Sequence, residues 1–321
     1  MTKVSVIIPT YNRVSTVLDA VRSALNQTYA SIEVIVVDDG STDDTAEQLL
    51  TFSSKITILS QKNSGPSLAR NNGARHASGD IFAFLDSDDV WKPDKILRQV
   101  ALMESYGKSM TCCVCNAEIL DQANVRNTDA FGIAGVKSQH EESVWLNPGE
   151  VLASRFLLFN QVAAIRRDAF VKVGGYSSRI NLLEDHDLAL KLASVGGVWG
   201  LITSPLVIKS NETKGIGVEC GKNPLQHARV QRVALTGALE SGLIRDAAMR
   251  RNMSKRLRSN ASEIQNEELL SSPHRLDRFR GRIGRASSNI ANFIARRSSP
   301  KVKTDEVILK NRPTKDEFNH D

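Results

Sequence analysis

Three carboxylates crowd the end of one apolar run. Residues 81–85, Ile-Phe-Ala-Phe-Leu, have no polar side, which predicts a strand covered on both faces. Asp86, Asp88 and Asp89 follow it at once. Three negative charges this close repel one another unless solvent, a cation or basic side chains compensate. A hard divalent ion that keeps several waters and bridges to a phosphate suits such a group. The plainer reading is a solvated acidic turn ahead of a helix begun by Pro93. A second acidic turn, Asp38-Asp39-Gly40-Ser41, closes the apolar run 32–37. A third group, Glu184-Asp185-His186-Asp187, precedes Leu188, Leu192 and Val195, which share one helical face. Acids belong in a first helical turn because the macrodipole favours them there, and Asp187 is assigned that structural role. Glu184 and Asp185 stand at the helix mouth, where a carboxylate can face a cleft. His186 is read as a neighbour of the site and not a ligand.

The elements that must position these acids alternate. Val4 to Ile8 is a β-branched run closed by Pro9. Asn12 suits a cap, and Val14, Val17, Leu18, Val21 and Leu25 then recur with the spacing of an amphipathic helix. Ile32–Val37 is a second strand, and a helix opens at Thr42 or Asp43 and runs to about Phe52. Ile56–Leu59 is a third strand. Ser64-Gly65-Pro66 turns into a helix whose Ala69, Gly73 and Ala77 let it lie close to a sheet. The strand before Asp86 comes next, then a helix with Ile96, Leu97, Val100 and Met103 on its buried face. This β-α repetition with short connections predicts a parallel sheet covered on both sides. Both acidic turns then fall at the carboxyl ends of parallel strands, where open α/β sheets bind ligands. That convergence favours the metal-and-phosphate reading over the solvated turn.

Downstream, residues 109–120 read as a strand, 122–145 as a hairpin or mobile loop, and 149–156 as a short helix. Residues 160–165 read as a strand and 167–173 as a helical turn stopped by Gly174-Gly175. Neither GxGxxG after the first strand nor a P-loop is present, which argues against dinucleotide or P-loop chemistry. Cys112, Cys113 and Cys115 fit a strand as small apolar residues better than a disulfide or zinc framework. Together with an N-terminus that enters a strand directly, they suggest a cytoplasmic protein. No run approaches the roughly 18 apolar residues of a membrane span.

Five stretches, in order and spacing, resemble the family 2 glycosyltransferases. They are Val4-Ser-Val-Ile-Ile-Pro-Thr-Tyr-Asn-Arg13, Glu33-Val-Ile-Val-Val-Asp-Asp-Gly-Ser-Thr-Asp-Asp-Thr45, Ala69-Arg-Asn-Asn-Gly-Ala-Arg75, Asp86-Ser87-Asp88 and Glu184-Asp185. The resemblance covers roughly residues 3–210. It implies the α/β GT-A fold, a Rossmann-like, mostly parallel mixed sheet with helices on both faces. It implies metal-dependent, inverting transfer of a sugar from a nucleotide diphosphate, a UDP-sugar being favoured, to a hydroxyl of a glycan or lipid-linked acceptor. Pro9, Thr10 and Tyr11 would frame the base, Asp39 would bond it, and Arg70 would lie near the nucleotide. Asp86 and Asp88, with Ser87 between them, would hold the ribose and an Mn²⁺ or Mg²⁺ ion on the diphosphate. Asp89 would share the metal. Asp185 would be the general base, with Glu184 beside it. One departure stands out. Family members often carry a His in a basic-aromatic segment after the catalytic helix, whereas this chain reads Val207-Ile-Lys-Ser-Asn-Glu-Thr213, leaving Lys209 as a candidate for the diphosphate.

Charge is divided unevenly. Residues 1–220 hold 21 Lys and Arg against 25 Asp and Glu, a net −4, and residues 221–321 hold 21 against 11, a net +10. The expected domains are a catalytic unit at 1–215 (nucleotide-sugar half 1–108, acceptor half 109–215), a basic helical extension at 216–297 and a disordered tail at 298–321. Within 275–297, Leu276, Phe279, Ile283, Ile290, Phe293 and Ile294 share a helical side flanked by arginines. That face either lies on an anionic membrane, on the inner side of the cytoplasmic membrane, or docks on the catalytic unit. Nucleic acid is not an expected partner, since no aromatic stacking platform is visible. Two other readings compete. One is a phosphohydrolase with Asp86 as nucleophile and Asp88 as acid, and the other a non-catalytic nucleotide- or glycan-binding module.

Overall fold

The computed structural model describes residues 1–120, 126–154, 159–178 and 183–210, together with 232, 235, 236, 239, 247 and 249–258. The N-terminal elements alternate as expected: β1 (Val4–Thr10), α1 (Val17–Leu25), β2 (Ile32–Asp38), α2 (Thr45–Leu49), β3 (Thr57–Ser60), α3 (Pro66–His76) and β4 (Ile81–Phe84). Then follow β5 (Val90–Trp91), α4 (Lys95–Ser105), β6 (Met110–Leu120), β7 (Arg126–Asp129), α5 (Ala130–Ala134), β8 (Glu142–Trp145) and α6 (Pro148–Ser154). The last are β9 (Ala163–Arg166), α7 (Arg167–Lys172), α8 (Glu184–Ser194) and β10 (Val198–Lys209).

One mixed sheet runs β3-β2-β1-β4-β9-β6-β10-β5, with β7 on β6 and β8 on β10. Its first four strands are parallel. Strand β9 lies antiparallel between β4 and β6, and β10 returns parallel to β6. All seven residues of β1, Ser5 and Thr10 included, and all four of β4 are buried, as strands covered on both faces require. Helix α1 turns Val17, Ala20, Val21 and Ala24 inward, the 3–4 spacing of a buried stripe. Helix α3 approaches so closely that a Cβ on Gly73 would stand 2.5 Å from Ile7 Cγ2 and 3.1 Å from Val37 Cγ2.

Several boundaries differ from the sequence expectation. Asn12 does not cap α1. It adopts φ 52°, and its Oδ1 accepts from the Thr42 amide at 2.8 Å, so it ties the turn after β1 to the loop after β2. Both helices that follow these turns start later than expected, at Val17 and Thr45. The strand expected from Asn160 begins only at Ala163, because Asn160–Val162 form a 3-10 turn. The cause lies in the side chains: Asn160 and Gln161 are buried and engaged with Tyr176 and Asp86, which bends the backbone there. Strand β10 was not anticipated. Its twelve residues carry register shifts around Ile202 and Pro205, which break the alternation that identifies a strand. Cys112, Cys113 and Cys115 are buried free thiols in β6.

Residues 249–258 are helical, and Met249 and Met253 are buried, the former with its sulfur against Gly149 of α6. The basic stretch 275–297 and the tail 298–321 lie outside the described residues, as does most of 216–248. No helix among the described residues is long and apolar enough to cross a membrane.

Candidate active site

The β4 run ends at Leu85, whose amide donates to Ile7 O, and a turn closes from Asp86 O to the Asp89 amide at 3.1 Å. This turn gathers the acid triad: one oxygen each from Asp86, Asp88 and Asp89 lie within 4.8 Å of one another. All three donors are hard carboxylate oxygens, the set that suits Mg²⁺ or Mn²⁺. Asp86 Oδ1 accepts from Arg70 Nη2 at 2.6 Å, and its Oδ2 accepts from Gln161 Nε2 at 2.8 Å. Burial pushes the Asp86 carboxyl up, but Arg70, Lys209 and Arg13 outweigh it and hold the group below the usual range. Asp89 is the deepest of the three. Burial raises its pKa to about 7, with Lys209 opposing and Asp88 and Asp86 adding to the rise. Ser87 is buried between them.

Strand β5 explains how Lys209 reaches this triad. It pairs antiparallel with β10, Val90 against Ile208 and Trp91 against Val207. The next step of that register sets Asp89 beside Lys209. Lys209 Nζ lies 3.3 Å from Asp89 Oδ2, and the Ser210 amide donates to Asp89 Oδ1 at 2.9 Å. The neighbouring acids Asp89, Asp86 and Asp88 raise the Lys209 pKa despite burial.

At the adjacent strand ends, Pro9 and Thr10 finish β1 opposite Val37 and Asp38. Thr10 is buried with its Oγ1 unpartnered, and Tyr11 is 44% exposed. Asp39 is turned into the following loop. Its Oδ1 accepts from Gln61 Nε2 and the Ser64 amide, and its Oδ2 from the Gly65 amide, each at 2.8 Å. Asp39 therefore fixes the entry to α3, where Gly65 takes φ 88° and Pro66 begins the helix.

Helix α3 carries Arg70 into the interior. Its Nη1 donates to Glu184 Oε1 at 2.8 Å while Nη2 holds Asp86, and its guanidinium faces the Tyr176 ring at 5.3 Å. A planar fork suits this double contact. The next residue, Asn71, clamps the backbone of Tyr176 from both sides. The first turn of α8 is thus moored to the acid triad through Arg70. Asp185, next to Glu184, accepts only from the amide of His186 among described side-chain bonds, at 2.7 Å. Burial raises its pKa to about 7 and the Glu184 charge adds to this, with the His186 amide and Arg70 opposing. A carboxylate poised near neutral pH can take a proton from a hydroxyl. Asp187 is wholly buried and paired with Lys191 at 2.5 Å, in keeping with its structural assignment. His186 is buried, and burial together with the Arg256 charge lowers its pKa to about 3.

The structure thus brings Asp86, Asp88, Asp89, Arg70 and Glu184 into one contact network, with Asp185 beside it. Pro9, Thr10, Tyr11 and Asp39 line the neighbouring strand ends. Two members carried no sequence signal for a role. Gln161 follows no motif and sits in a stretch that reads as strand. Arg13, 3.6 Å from Asp88, lies inside a recognisable stretch, but an arginine after a strand is unremarkable in a sequence.

A model of the family described as Glycosyl transferase family 2 matches residues 5–173. An uncharacterized glycosyltransferase of Rickettsia prowazekii is 31% identical over 196 residues, 61% of this chain and 60% of the relative. An Escherichia coli relative is 43% identical over 102 residues, 31% of this chain and 40% of its own length. It is named UDP-Glc:alpha-D-GlcNAc-diphosphoundecaprenol beta-1,3-glucosyltransferase WfgD. The chain therefore spans less than two thirds of either relative. Among solved structures, the Pyrobaculum calidifontis mannosyltransferase PcManGT, in complex with GDP-Man and Mn²⁺, superposes with a TM-score of 0.59 at 19% identity. That match covers 92% of this chain and 80% of PcManGT and shows the shared GT-A fold.

Proposed function

Because the chain belongs to glycosyl transferase family 2, we propose that it moves a sugar from a nucleotide diphosphate sugar to an acceptor hydroxyl with inversion at the anomeric carbon. The observation that carries this reading is the mooring of Asp185's helix to the acid triad through Arg70. It joins a proton acceptor to a diphosphate-binding edge in one rigid unit. In the reaction Asp185 takes the acceptor hydroxyl's proton as that oxygen bonds to the anomeric carbon. The bond from that carbon to the diphosphate oxygen breaks, and the nucleoside diphosphate leaves with the electron pair. Glu184, held by Arg70, adds to the affinity of Asp185 for the proton. Asp86, Asp88 and Asp89 are the residues that would hold a divalent ion. When bound, such an ion supplies charge neutralisation at the departing diphosphate.

Pro9, Thr10 and Tyr11 frame the base, with Tyr11 offering a ring face and Thr10 an unpartnered hydroxyl. Asp39 shapes that pocket by holding the loop 61–65. A UDP-sugar is the favoured donor, in line with the name of the Escherichia coli relative. A lipid-linked glycan acceptor agrees with the diphosphoundecaprenol-linked sugar in the same name, and the proposed reaction takes place at the inner face of the cytoplasmic membrane, in surface polysaccharide synthesis. The phosphohydrolase alternative is disfavoured by the family match and by Arg70, whose guanidinium ties Asp86 to Glu184 of α8.

The test is calorimetric titration with UDP, GDP, CDP and dTDP, with Mn²⁺ and with EDTA, on the wild type and Asp88→Ala. One nucleotide is expected to bind with Mn²⁺, and the variant to lose at least tenfold. Absence of binding for all four would refute the donor site. Tight binding without turnover on any acceptor would favour the binding module.

A further inference from the structure

Each carboxylate of the acid triad has a basic side chain of its own. Arg70 stands 2.6 Å from Asp86, Arg13 3.6 Å from Asp88, and Lys209 3.3 Å from Asp89. These cations come from three separate places, α3, the turn after β1 and the end of β10. Their convergence balances the triad charge for charge. They are not held equally. The Arg70 side chain is 5% exposed and makes short contacts to two carboxylates at once. Arg13 and Lys209 are 30% and 29% exposed and contact their acids at longer range.

A divalent ion entering the triad meets these two looser cations as like charges a few ångströms away, which disfavours it. A nucleoside diphosphate reverses that balance, since it brings negative charge to the place the displaced cations would occupy. We propose that Lys209, seconded by Arg13, is an exchangeable counter-ion. It neutralises Asp89 in the metal-free site and passes its ammonium to the diphosphate when metal and nucleotide bind together. This rests on the glycosyltransferase reading above and goes beyond it. It makes the chain's own cations the reason that metal alone binds weakly and that metal and nucleotide each strengthen the other. A compact ammonium on a flexible stem suits such a handover, whereas the forked, buried Arg70 suits a fixed mooring.

The signature is a pair of opposite effects from one substitution. Free Mn²⁺ is followed by its electron paramagnetic resonance signal in wild type, Lys209→Met and Lys209→Arg, and nucleotide binding by calorimetry with UDP, GDP, CDP and dTDP. Without nucleotide, Lys209→Met is expected to bind Mn²⁺ about tenfold more tightly than wild type, as removal of one nearby like charge would give. With Mn²⁺ present, it is expected to bind the preferred nucleoside diphosphate about tenfold more weakly. Lys209→Arg, which keeps the charge, should stay within about threefold of wild type in both. Should the methionine variant not fold, Lys209→Gln offers a polar head to the buried Asp89 and should show the same two signs. A merely structural Lys209 would weaken metal and nucleotide alike, and that result, or an unchanged Mn²⁺ affinity, overturns the proposal. A wild type that binds none of the four nucleotides refutes the donor-site reading instead, and the counter-ion exchange with it.

Discussion

Asp185 and Asp39 show how much a carboxylate's neighbours decide. Asp39 accepts three hydrogen bonds from one loop and is a fastener, whereas Asp185 accepts one and carries a pKa raised to about 7 by burial and by Glu184. A general base must be ionised to work, so in the proposed role of Asp185 activity is expected to rise with pH as it deprotonates. The expected kcat/KM profile therefore has an acid limb with its midpoint near 7, falling about tenfold per pH unit below it. Asp185→Asn should lower kcat by about 10²–10⁴-fold while leaving nucleotide affinity within about twofold, as calorimetry would show. The same shift has a stability sign. A carboxyl that holds its proton more tightly folded than unfolded disfavours the fold as pH rises from about 4 to about 7. Asp185→Asn should make that fall in melting temperature shallower, leaving the part that Asp89, raised to about 7 as well, contributes. Sequence pattern singled out Asp86, Asp88 and Asp89, which the structure gathers, because acids at a strand end are conspicuous, whereas the role expected of Asp185 came from the family resemblance. The pattern could not identify Gln161, whose importance comes from a turn made by its own burial, nor the commitment of Asp39 to a loop, which depends on backbone amides that every sequence possesses.

Helix α3 is the element on which the site depends most. It delivers Arg70, starts from the loop fastened by Asp39, and seats on the sheet through Gly73. Gly73→Val would press its side chain into Ile7 and Val37. Such overpacking commonly costs about 1–3 kcal/mol, and urea denaturation should read a loss of that size. Because the helix would be lifted, Arg70 would move from Asp86 and Glu184, and turnover should fall further than stability alone explains. This element was legible: Gly65-Pro66 marks its start, and its small residues announce a close approach. Strand β10 was not legible, because its register shifts around Pro205 hide the alternation, and β5 has only two residues. Strand pairing at that edge is decided by long-range partners that no local window contains.

At the scale of the whole molecule, the sheet divides into a parallel portion, β3-β2-β1-β4, and a mixed portion built around β9, β6 and β10. The parallel portion followed from the alternating sequence pattern; the mixed portion depends on inserting β9, late in the chain, between β4 and β6. Charge is divided as well, with net −4 before residue 221 and +10 after it. If the basic portion meets an anionic surface, the full chain should sediment with vesicles containing phosphatidylglycerol and not with phosphatidylcholine alone. Raising NaCl from 0.1 to 0.5 M should release most of it, because surface electrostatics are screened within a Debye length. Binding that ignores both lipid charge and salt would assign the basic face to docking on the protein instead.

The contact between Asp89 and Lys209 joins residues 120 positions apart. On a ribosome adding about 5–20 residues per second, Lys209 would be made roughly 6–24 s after Asp89. During that interval the nascent chain holds its acid turn without the edge strand and the ammonium that complete it. Completion of the acid turn's surroundings therefore waits for β10, and a chain interrupted before it would carry the parallel strands while lacking the edge that closes the sheet.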